Sequence, residues 1–484
     1  MASRYERTTD HPGSRPLGAE RPRRRALAAC GALVALVGGT AAAPAAASGG
    51  SRSAGAGLYI VRSSSVGGAA AAVRAAGGAV TLSLPIVEGV EATLSTDQAS
   101  RLGADRSVTV VPDTALRTVG QTYPSSGAAP QLARMDLGAD WSPAAGAGVG
   151  VALIDTGVDA SPGLNPADVV RSPDFSRSGS TQDGYGHGTF MAGLIAGDGG
   201  GGAPAVPGVA PGVTLVSVKV AGADGSTTLG QVLEGIGWAV QHRRRYNIRV
   251  MSISLGADLP VPPRDNPLDA AVSAAWASGI TVVAAAGNNG SSGVTSPGDD
   301  PQVITVGAET TTGPVSVPSW SGVSTTKPDV LAPGVSVTSL RAPGSTVDLA
   351  HPSARVGQDY FRGSGTSMAT ALTAGAAAVL ISRHPLASPD EVKAALLAGA
   401  GPAPSGPAGT VDVLRADAAT AAPVPRQALP GAGHWAANQT MSRDTMYWDT
   451  MSWDTMSWDT MSWDTMSWDT MSWDTMSWDD RNWG

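Results

Sequence analysis

The chain has 484 residues, of which 42% are hydrophobic, and a formal net charge of −8. This length leaves room for one large domain and smaller pieces, and the negative charge argues against a nucleic-acid partner. The single cysteine, Cys30, lies in a predicted signal segment, which excludes disulfide bonds from the mature protein.

The first 47 residues, 1–47, have the pattern of a basic N-terminus followed by a secretory signal. Four arginines and a proline at 21–25 precede an apolar stretch, and alanines at 45–47 offer a cleavage site. We therefore predict a secreted or extracellular protein. The alternative is a retained membrane anchor, because 26–47 is just long enough to span a bilayer. A Gly/Ser-rich linker follows at 48–57.

The segment 58–117 predicts a small α+β domain with the element order β-α-β-β-α-β. Its apolar patterning places four strands and two helices, in chain order, at 58–61, 66–76, 80–84, 88–94, 96–102 and 108–111. A polar linker at 118–130 then leads to a glycine-rich α/β region at 131–415.

Two motifs in the first half of 131–415 carry residues that are typical of catalysis. An apolar strand at 149–154 ends in Asp155, and open α/β sheets keep their functional groups at the carboxyl ends of strands. His187 lies between two glycines at the predicted start of a helix, which gives its imidazole close access to a ligand. Taken singly, Asp155-Thr156-Gly157 also fits an aspartic-peptidase loop, and His187 also fits a core histidine.

Two further motifs lie in the second half of this region. An apolar strand at 282–286 leads to Asn288, whose amide can donate to an oxyanion or simply form a turn. Ser367 precedes a small, apolar run at 369–381 that predicts a buried helix. A helix N-terminus favours a developing anion, although Ser367 also fits a helix cap. The remaining predicted elements are strands at 214–220, 249–255 and 303–308 and a helix at 229–241.

In the order Asp, His, Asn, Ser, these segments resemble the subtilisin-type serine peptidases from about 132 to 397. The resemblance implies an α/β fold, with a subtilisin-like parallel-sheet catalytic domain preceded by a small α+β propeptide. The sequence itself adds a low-complexity tail after this domain. The resemblance also implies one role for each residue. Asp155 would orient the base, His187 would be the base, Ser367 the nucleophile and Asn288 the oxyanion donor.

The same resemblance implies partners and a cleft. Ser254, Leu255 and Gly256 would line the substrate cleft and pair with the backbone of a protein or peptide substrate. The segment 58–117 would be the enzyme's own inhibitor-like propeptide, removed by self-processing at 118–130. Bound calcium is common in the family, but the sequence assigns no calcium ligand and no other cofactor or metal.

Several positions depart from the family pattern. Phe190-Met191 follows the histidine motif, and Ala371-Leu372-Thr373 follows the serine motif, where other residues are usual. These departures concern helix packing rather than the presence of the four residues. The segment 339–361 is longer than the motif requires and is expected to rim the cleft. An inactive scaffold is the competing interpretation, which the complete set of four residues argues against.

The C-terminal part has low complexity. A Pro/Ala/Gly linker at 416–439 leads to a tail at 440–484, in which Thr-Met-Ser-Trp-Asp recurs eight times with small changes. A period of five fits neither a helix nor a strand, so we expect this tail to be disordered when it is unbound. Its eight tryptophans predict weak, multivalent binding to a cell surface or partner. The alternative is repeat slippage without function.

Overall fold

The computed structural model describes the following parts of the chain, all of which belong to one compact unit: residues 56–118, 130–137, 142–200, 205–257, 261, 265–402 and 408–420. The predicted signal at 1–47, most of the linker at 118–130 and the repeat tail at 440–484 lie outside them. No helix within the described parts combines the length and the apolar character needed to cross a bilayer.

The described residues form eighteen strands: β1 (Ala56–Arg62), β2 (Ala79–Leu84), β3 (Gly89–Ser95), β4 (Thr109–Pro112), β5 (Ala115–Thr118), β6 (Gly150–Asp155), β7 (Val169–Arg171), β8 (Thr214–Lys219), β9 (Ser226–Thr228), β10 (Ile248–Ile253), β11 (Leu255–Gly256), β12 (Thr281–Ala285), β13 (Ile304–Thr310), β14 (Val330–Val335), β15 (Val337–Leu340), β16 (Arg355–Val356), β17 (Tyr360–Gly363) and β18 (Gly409–Thr410).

The same residues form ten α-helices: α1 (Val66–Ala75), α2 (Thr96–Gly103), α3 (Gln131–Arg134), α4 (His187–Ala196), α5 (Leu229–Gln241), α6 (Pro267–Ala277), α7 (Thr346–Ala350), α8 (Thr366–Arg383), α9 (Pro389–Gly399) and α10 (Val413–Thr420). Except for the strand at 249–255, the predicted elements are confirmed, with bounds that lie within three residues of those expected from the sequence.

A parallel sheet of eight strands forms the centre of the fold. Its strand order is β18-β14-β13-β12-β10-β6-β8-β7, and each neighbouring pair is parallel. Every residue of β6 and β12 is buried, as expected of a parallel sheet that is covered on both faces. The predicted α/β class is therefore confirmed.

The longest helix, α8, lies inside this core. It packs against β10, β12, β13 and β14, and its residues from Thr366 to Ile381 are all buried. The side chains of α8 are small as well as apolar, which allows neighbouring segments to pack closely against it. At Gly375, for example, an added Cβ would lie only 2.6 Å from the Cβ of Val209. Burial of the helix from Thr366 to Ile381 fixes the position of its N-terminal residues.

The carboxyl ends of three central strands bring polar residues to the same edge of the sheet. Asp155 is the last residue of β6, Ser254 follows β10 and Asn288 lies just beyond β12. Because β6, β10 and β12 are parallel neighbours, these three residues lie along one edge. The strand order thus assembles residues that are far apart in the sequence.

The segment 56–118 forms a second, antiparallel sheet with the strand order β2-β3-β1-β4. Together with α1 and α2 it encloses a small apolar core of its own, which includes Val61, Val73 and Leu94. The predicted β-α-β-β-α-β order is confirmed. Other apolar residues of this segment, such as Ile60 and Val111, belong to the large core. The segment is therefore packed against the main body.

One strand of this segment was not predicted. β5 is the middle strand of a three-stranded sheet, between β11 on one side and β9 on the other. Thr118 is opposite Leu255, and Leu116 is opposite Thr227 and is fully buried. The strand escaped prediction because its partners lie in distant parts of the sequence.

The predicted strand at 249–255 is divided in two. β10 belongs to the parallel sheet and ends at Ile253, whereas β11 pairs antiparallel with β5. The chain changes its pairing partner at Ser254, and a single hydrophobic run in the sequence cannot reveal such a change.

Candidate active site

The carboxylate of Asp155 and the imidazole of His187 are in direct contact. Nδ1 of His187 lies 2.8 Å from Oδ1 and 3.0 Å from Oδ2 of Asp155. Oδ1 also accepts a hydrogen bond of 2.8 Å from the backbone N–H of Thr156. Both side chains are buried. An ionised carboxylate only accepts hydrogen bonds, so Nδ1 carries the proton and Nε2 is the basic nitrogen.

Nε2 of His187 is buried and has no hydrogen-bond partner among the described residues. A buried polar atom without a partner is costly in a folded protein. Such an atom is typical of a group that meets its partner only during a reaction. The nitrogen that the site leaves unsatisfied is therefore the one that can accept a proton.

Ser367 is the second residue of α8 and is completely buried. Its hydroxyl lies 3.3 Å from the backbone oxygen of Ser254, to which it donates, and the hydroxyl of Ser254 donates in turn to the backbone oxygen of Ser367 at 3.3 Å. α4 and α8 pack against each other, and His187 and Met368, which lie at the starts of these helices, line the same cavity. The structure thus brings Ser254 and Ser367 together at the edge of the sheet.

Asn288 is fixed to the start of α8. Its Oδ1 accepts hydrogen bonds of 3.0 Å from both the backbone N–H and the hydroxyl of Thr366, the residue before Ser367. With the oxygen so occupied, the NH₂ group is at the opposite end of the amide and can donate elsewhere. The amide orientation suits an oxyanion donor.

The three predicted cleft residues flank this site. Ser254 contacts Ser367, and Leu255 and Gly256 form β11, which pairs with β5. The strand predicted to line the cleft is therefore already paired with a segment of the same chain.

A second buried carboxylate, that of Asp183, lies near His187 and was not predicted from the sequence. Its Oδ1 accepts from the hydroxyl of Thr156 and from Gly186 N, each at 2.7 Å, and its Oδ2 accepts from the backbone N–H and hydroxyl of Thr189, also at 2.7 Å. Burial raises the pKa of Asp183. Each oxygen nevertheless faces a backbone N–H donor, so the pocket accommodates the ionised form.

Asp183 accepts hydrogen bonds from Gly186 and Thr189 on either side of His187, at the start of α4, and its charge acts on the imidazole. The signal that could have revealed it is an acidic residue just before a helix N-terminus, where its charge is favourable. Burial lowers the pKa of His187, but the charge of Asp155, its hydrogen bond and the charge of Asp183 outweigh that effect, and the pKa is raised above its ordinary value of 6.5.

The hydrogen-bond partners of the two candidate carboxylates argue against the aspartic-peptidase alternative. An aspartic-peptidase dyad needs a second carboxylate, and the nearest candidate in the sequence is Asp113, in Asp113-Thr114-Ala115, which lacks the glycine. Asp113 accepts a hydrogen bond of 2.9 Å from the backbone N–H of Gly230. Asp155 is instead held by His187 and Thr156. The two carboxylates have separate partners, which argues against a shared proton.

The resemblance also raised the question of calcium. The described residues contain no group of three or more His, Cys, Asp or Glu side chains that could hold a metal ion. One cluster of backbone oxygens, from Pro301 to Val303, already accepts hydrogen bonds of 2.8–3.2 Å from the ammonium group of Lys393. These residues do not fit a calcium site, and we assign no calcium ligand.

Comparisons with known proteins agree with the geometry. The model of the subtilase family matches residues 146–426. Over 234 residues the chain is 42% identical to serine protease AprX of Bacillus subtilis (strain 168), a match that covers 45% of this chain and 53% of AprX. Over 214 residues it is 40% identical to subtilisin NAT of Bacillus subtilis subsp. natto, covering 43% and 49%. The chain spans about half the length of the curated relatives it matches.

A solved structure gives the same fold. The crystal structure of fervidolysin from Fervidobacterium pennivorans, described as a keratinolytic enzyme related to subtilisin, superposes with a TM-score of 0.62. The match has 24% sequence identity and covers 77% of this chain and 62% of fervidolysin. At this identity the likeness shows the fold alone. Since the family model spans more than half of the 484 residues, the chain belongs to the subtilase family.

Proposed function

We propose that this protein is a serine endopeptidase that hydrolyses peptide bonds through Asp155, His187 and Ser367. The observation that carries the proposal is the buried contact of 2.8 Å between Asp155 and Nδ1 of His187, which leaves Nε2 without a hydrogen-bond partner among the described residues. Asp155 holds the imidazole in the tautomer whose basic nitrogen can take a proton. The curated relatives named as serine protease and subtilisin support the same reaction class.

In the proposed reaction the hydroxyl of Ser367 leaves the backbone oxygen of Ser254 and gives its proton to Nε2 of His187. Oγ then attacks the substrate carbonyl and forms a tetrahedral intermediate. The negative charge of Asp155 stabilises the imidazolium that results. His187 next protonates the leaving amine, and water hydrolyses the acyl-enzyme by the same steps in reverse.

The NH₂ group of Asn288 and the backbone N–H of Ser367 are the proposed donors to the oxyanion. Both are attached to the start of α8, one through Thr366 and one directly. The positive end of the helix dipole adds to their effect on the developing charge. Donors held in place before the reaction need no reorganisation when the charge forms.

We also propose self-processing, with 58–117 as an inhibitor-like propeptide and the cut in the linker 118–130. The support is β5, which lies between β9 and β11 and pairs with both, as an extended substrate would pair in the proposed cleft. Thr118 is opposite Leu255, the neighbour of Ser254, and Ser254 contacts Ser367. The pairing of β5 therefore ends one residue from Ser254, which contacts the proposed nucleophile, and this supports a cut in the linker that follows.

Contacts outside the cleft support an inhibitory role for the same segment. Asp113 accepts a hydrogen bond of 2.9 Å from Gly230 N, and the backbone oxygen of Thr114 accepts one of 3.0 Å from Leu229 N. Both donors belong to the N-terminus of α5, where a carboxylate is favoured. The segment thus has polar anchors in addition to its buried apolar residues.

A labelling experiment tests the reaction and the processing together. The purified protein should react with a fluorophosphonate probe and appear in intact-mass spectra without 58–117. Ser367→Ala should remain unlabelled and keep the segment. Ser382→Ala, at the other end of α8, is the matched control and should behave like the unaltered protein. A labelled Ser367→Ala variant would refute the proposed nucleophile, and a correctly processed one in a host without other peptidases would refute self-processing.

Location is proposed from the sequence. The signal pattern at 1–47 supports secretion, and the tryptophan repeats at 440–484 support binding to a cell surface or partner. Truncation after Gln439 should leave peptide hydrolysis unchanged and reduce binding to cells or wall fragments. Equal binding of both forms would favour repeat slippage.

A further inference from the structure

A cavity of about 420 Å³ lies beside the catalytic histidine. Its apolar walls include Tyr185, Phe190, Val347, Phe361 and Met368, and the imidazole of His187 forms part of its lining. No residue of β5, β9 or β11 lines it. The cavity is therefore separate from the groove that β5 occupies.

An ion pair forms part of the cavity wall. Arg341 and Asp348 both line it, and Nη2 of Arg341 lies 2.9 Å from Oδ2 of Asp348. Nε of Arg355 donates to the same carboxylate at 2.7 Å. The carboxylate is thus held by two guanidinium groups and is not available to a cationic side chain; Ser345 and His351 also line the cavity. Its volume lies in the range of about 300–1,000 Å³ that is usual for sites binding small apolar groups.

Much of the wall comes from the segment between β15 and β17, which is longer than the serine motif requires. The start of α7 in that segment is joined to the loop before His187. Thr346 N donates to Gly184 O and Val347 N donates to Tyr185 O, each at 3.0 Å. The wall and the histidine loop are thus connected by backbone hydrogen bonds, so the cavity is preformed.

The proposed reaction determines which part of a substrate reaches this cavity. His187 gives its proton to the leaving amine, so the residue that supplies this amine must lie against the imidazole. The acyl side of the substrate follows the course of β5 along β11. The leaving side therefore passes His187 and Met368, the residue after the nucleophile, and both line the cavity.

We propose that the cavity binds a large apolar side chain, aromatic or leucine-like, of the first residue of the leaving peptide. This inference rests on the proposed peptidase function and adds a substrate preference to it. The segment 341–361 would then determine specificity on the leaving side, whereas β9 and β11 bind the acyl side.

Partitioning of the acyl-enzyme tests the inference without varying the acyl side. The protein purified after expression of the full chain is acylated with one peptide methyl ester, and amino-acid amides compete with water for the acyl group. Phenylalanine amide and leucine amide should capture it on the order of 10–100 times more efficiently than glycine amide or aspartate amide, as expected for an apolar pocket. Equal capture of phenylalanine amide and glycine amide would overturn the inference.

Variants of α7 localise the effect. Val347→Phe fills the cavity and should reduce the preference for phenylalanine amide at least tenfold, whereas Val347→Ala enlarges the cavity and should favour tryptophan amide. Leu349→Phe is the matched control, because Leu349 lies on the same helix, is 67% exposed and does not line the cavity. It should leave the preference unchanged. A preference that survives both Val347 variants would overturn the assignment to this cavity.

Fluorophosphonate labelling tests the proposed peptidase function separately from the proposed substrate preference. The probe reacts with the nucleophile and needs no amino-acid residue on the leaving side. A protein that labels but shows no preference among the amides retains the proposed function and loses the inference. A protein that neither labels nor hydrolyses the ester would overturn the proposed function and the inference with it.

Discussion

The side-chain oxygen of Asn288 accepts two hydrogen bonds of 3.0 Å from Thr366, the residue that precedes the proposed nucleophile. The amide is therefore oriented by the same helix start that positions Ser367. One end of the amide is structural, and the other end is available to the reaction. This division of roles leads to the first prediction.

Asn288→Ala should keep the fold and lower kcat by about 10²–10³, the loss typical of a subtilisin that lacks its oxyanion amide. KM should change little, since the donor acts mainly on the transition state. Steady-state kinetics on a soluble peptide would measure both constants. Asn289→Ala, which alters the exposed neighbour, is the control and should retain full activity. An unchanged kcat in Asn288→Ala would remove Asn288 from the oxyanion site.

As the pH is lowered, activity should fall with a midpoint above pH 6.5. The base must be neutral, and the carboxylates of Asp155 and Asp183 raise the pKa of His187 above that ordinary value. Asp183→Asn removes one of these charges, so the acid limb of the kcat/KM profile should move to lower pH. Asp198→Asn, at the exposed far end of α4, should leave the profile unchanged. A loss of thermal stability in Asp183→Asn with no shift of the limb would indicate a structural role alone.

Leu116→Ala should slow self-processing. Leu116 is fully buried where β5 crosses the cleft, and removal of such a side chain typically costs about 2–5 kcal/mol. Part of this loss in free energy weakens the docking of β5 against β9 and β11, so we expect processing to slow at least about tenfold. A time course of intact mass in the purified precursor would follow it. Ala115→Ser, at the exposed neighbouring position, should process at the normal rate, and equal rates for both variants would contradict the docking of β5.

Gly188→Ala should lower both stability and kcat. A Cβ at this position would overlap the backbone oxygen of Gly157, in the loop that follows Asp155. The start of α4 would have to move, and His187 would move with it. Gly67→Ala in α1 meets nothing within 4 Å and should be neutral or slightly stabilising. Calorimetry and kinetics on the two variants make the comparison, and normal activity in Gly188→Ala would show that the contact can relax.

The sequence predicted what is encoded locally. Asp155 and Ser367 stand at junctions of strands or helices that apolar patterning reveals, and flanking glycines mark His187. The role of Asp183 depends on how Thr156 and Thr189 meet around it, and such a contact leaves no periodic signal. β5 has only four residues, and its partners are more than 100 positions away in the chain. The cavity beside His187 likewise requires two segments, near 185–190 and 340–361, that only the tertiary fold brings together.

β5 is hydrogen-bonded along both of its edges, to β9 and to β11. A substrate that binds in the place of β5 must therefore present several consecutive residues as an extended strand. Neither edge of that strand can be hydrogen-bonded to another part of the substrate. Strands inside folded sheets and residues inside helices do not meet this condition until they open. For a folded target, the rate of digestion is then set by how often the target's own structure opens locally. Digestion rates across a series of destabilised variants of one target should follow their free energies of unfolding.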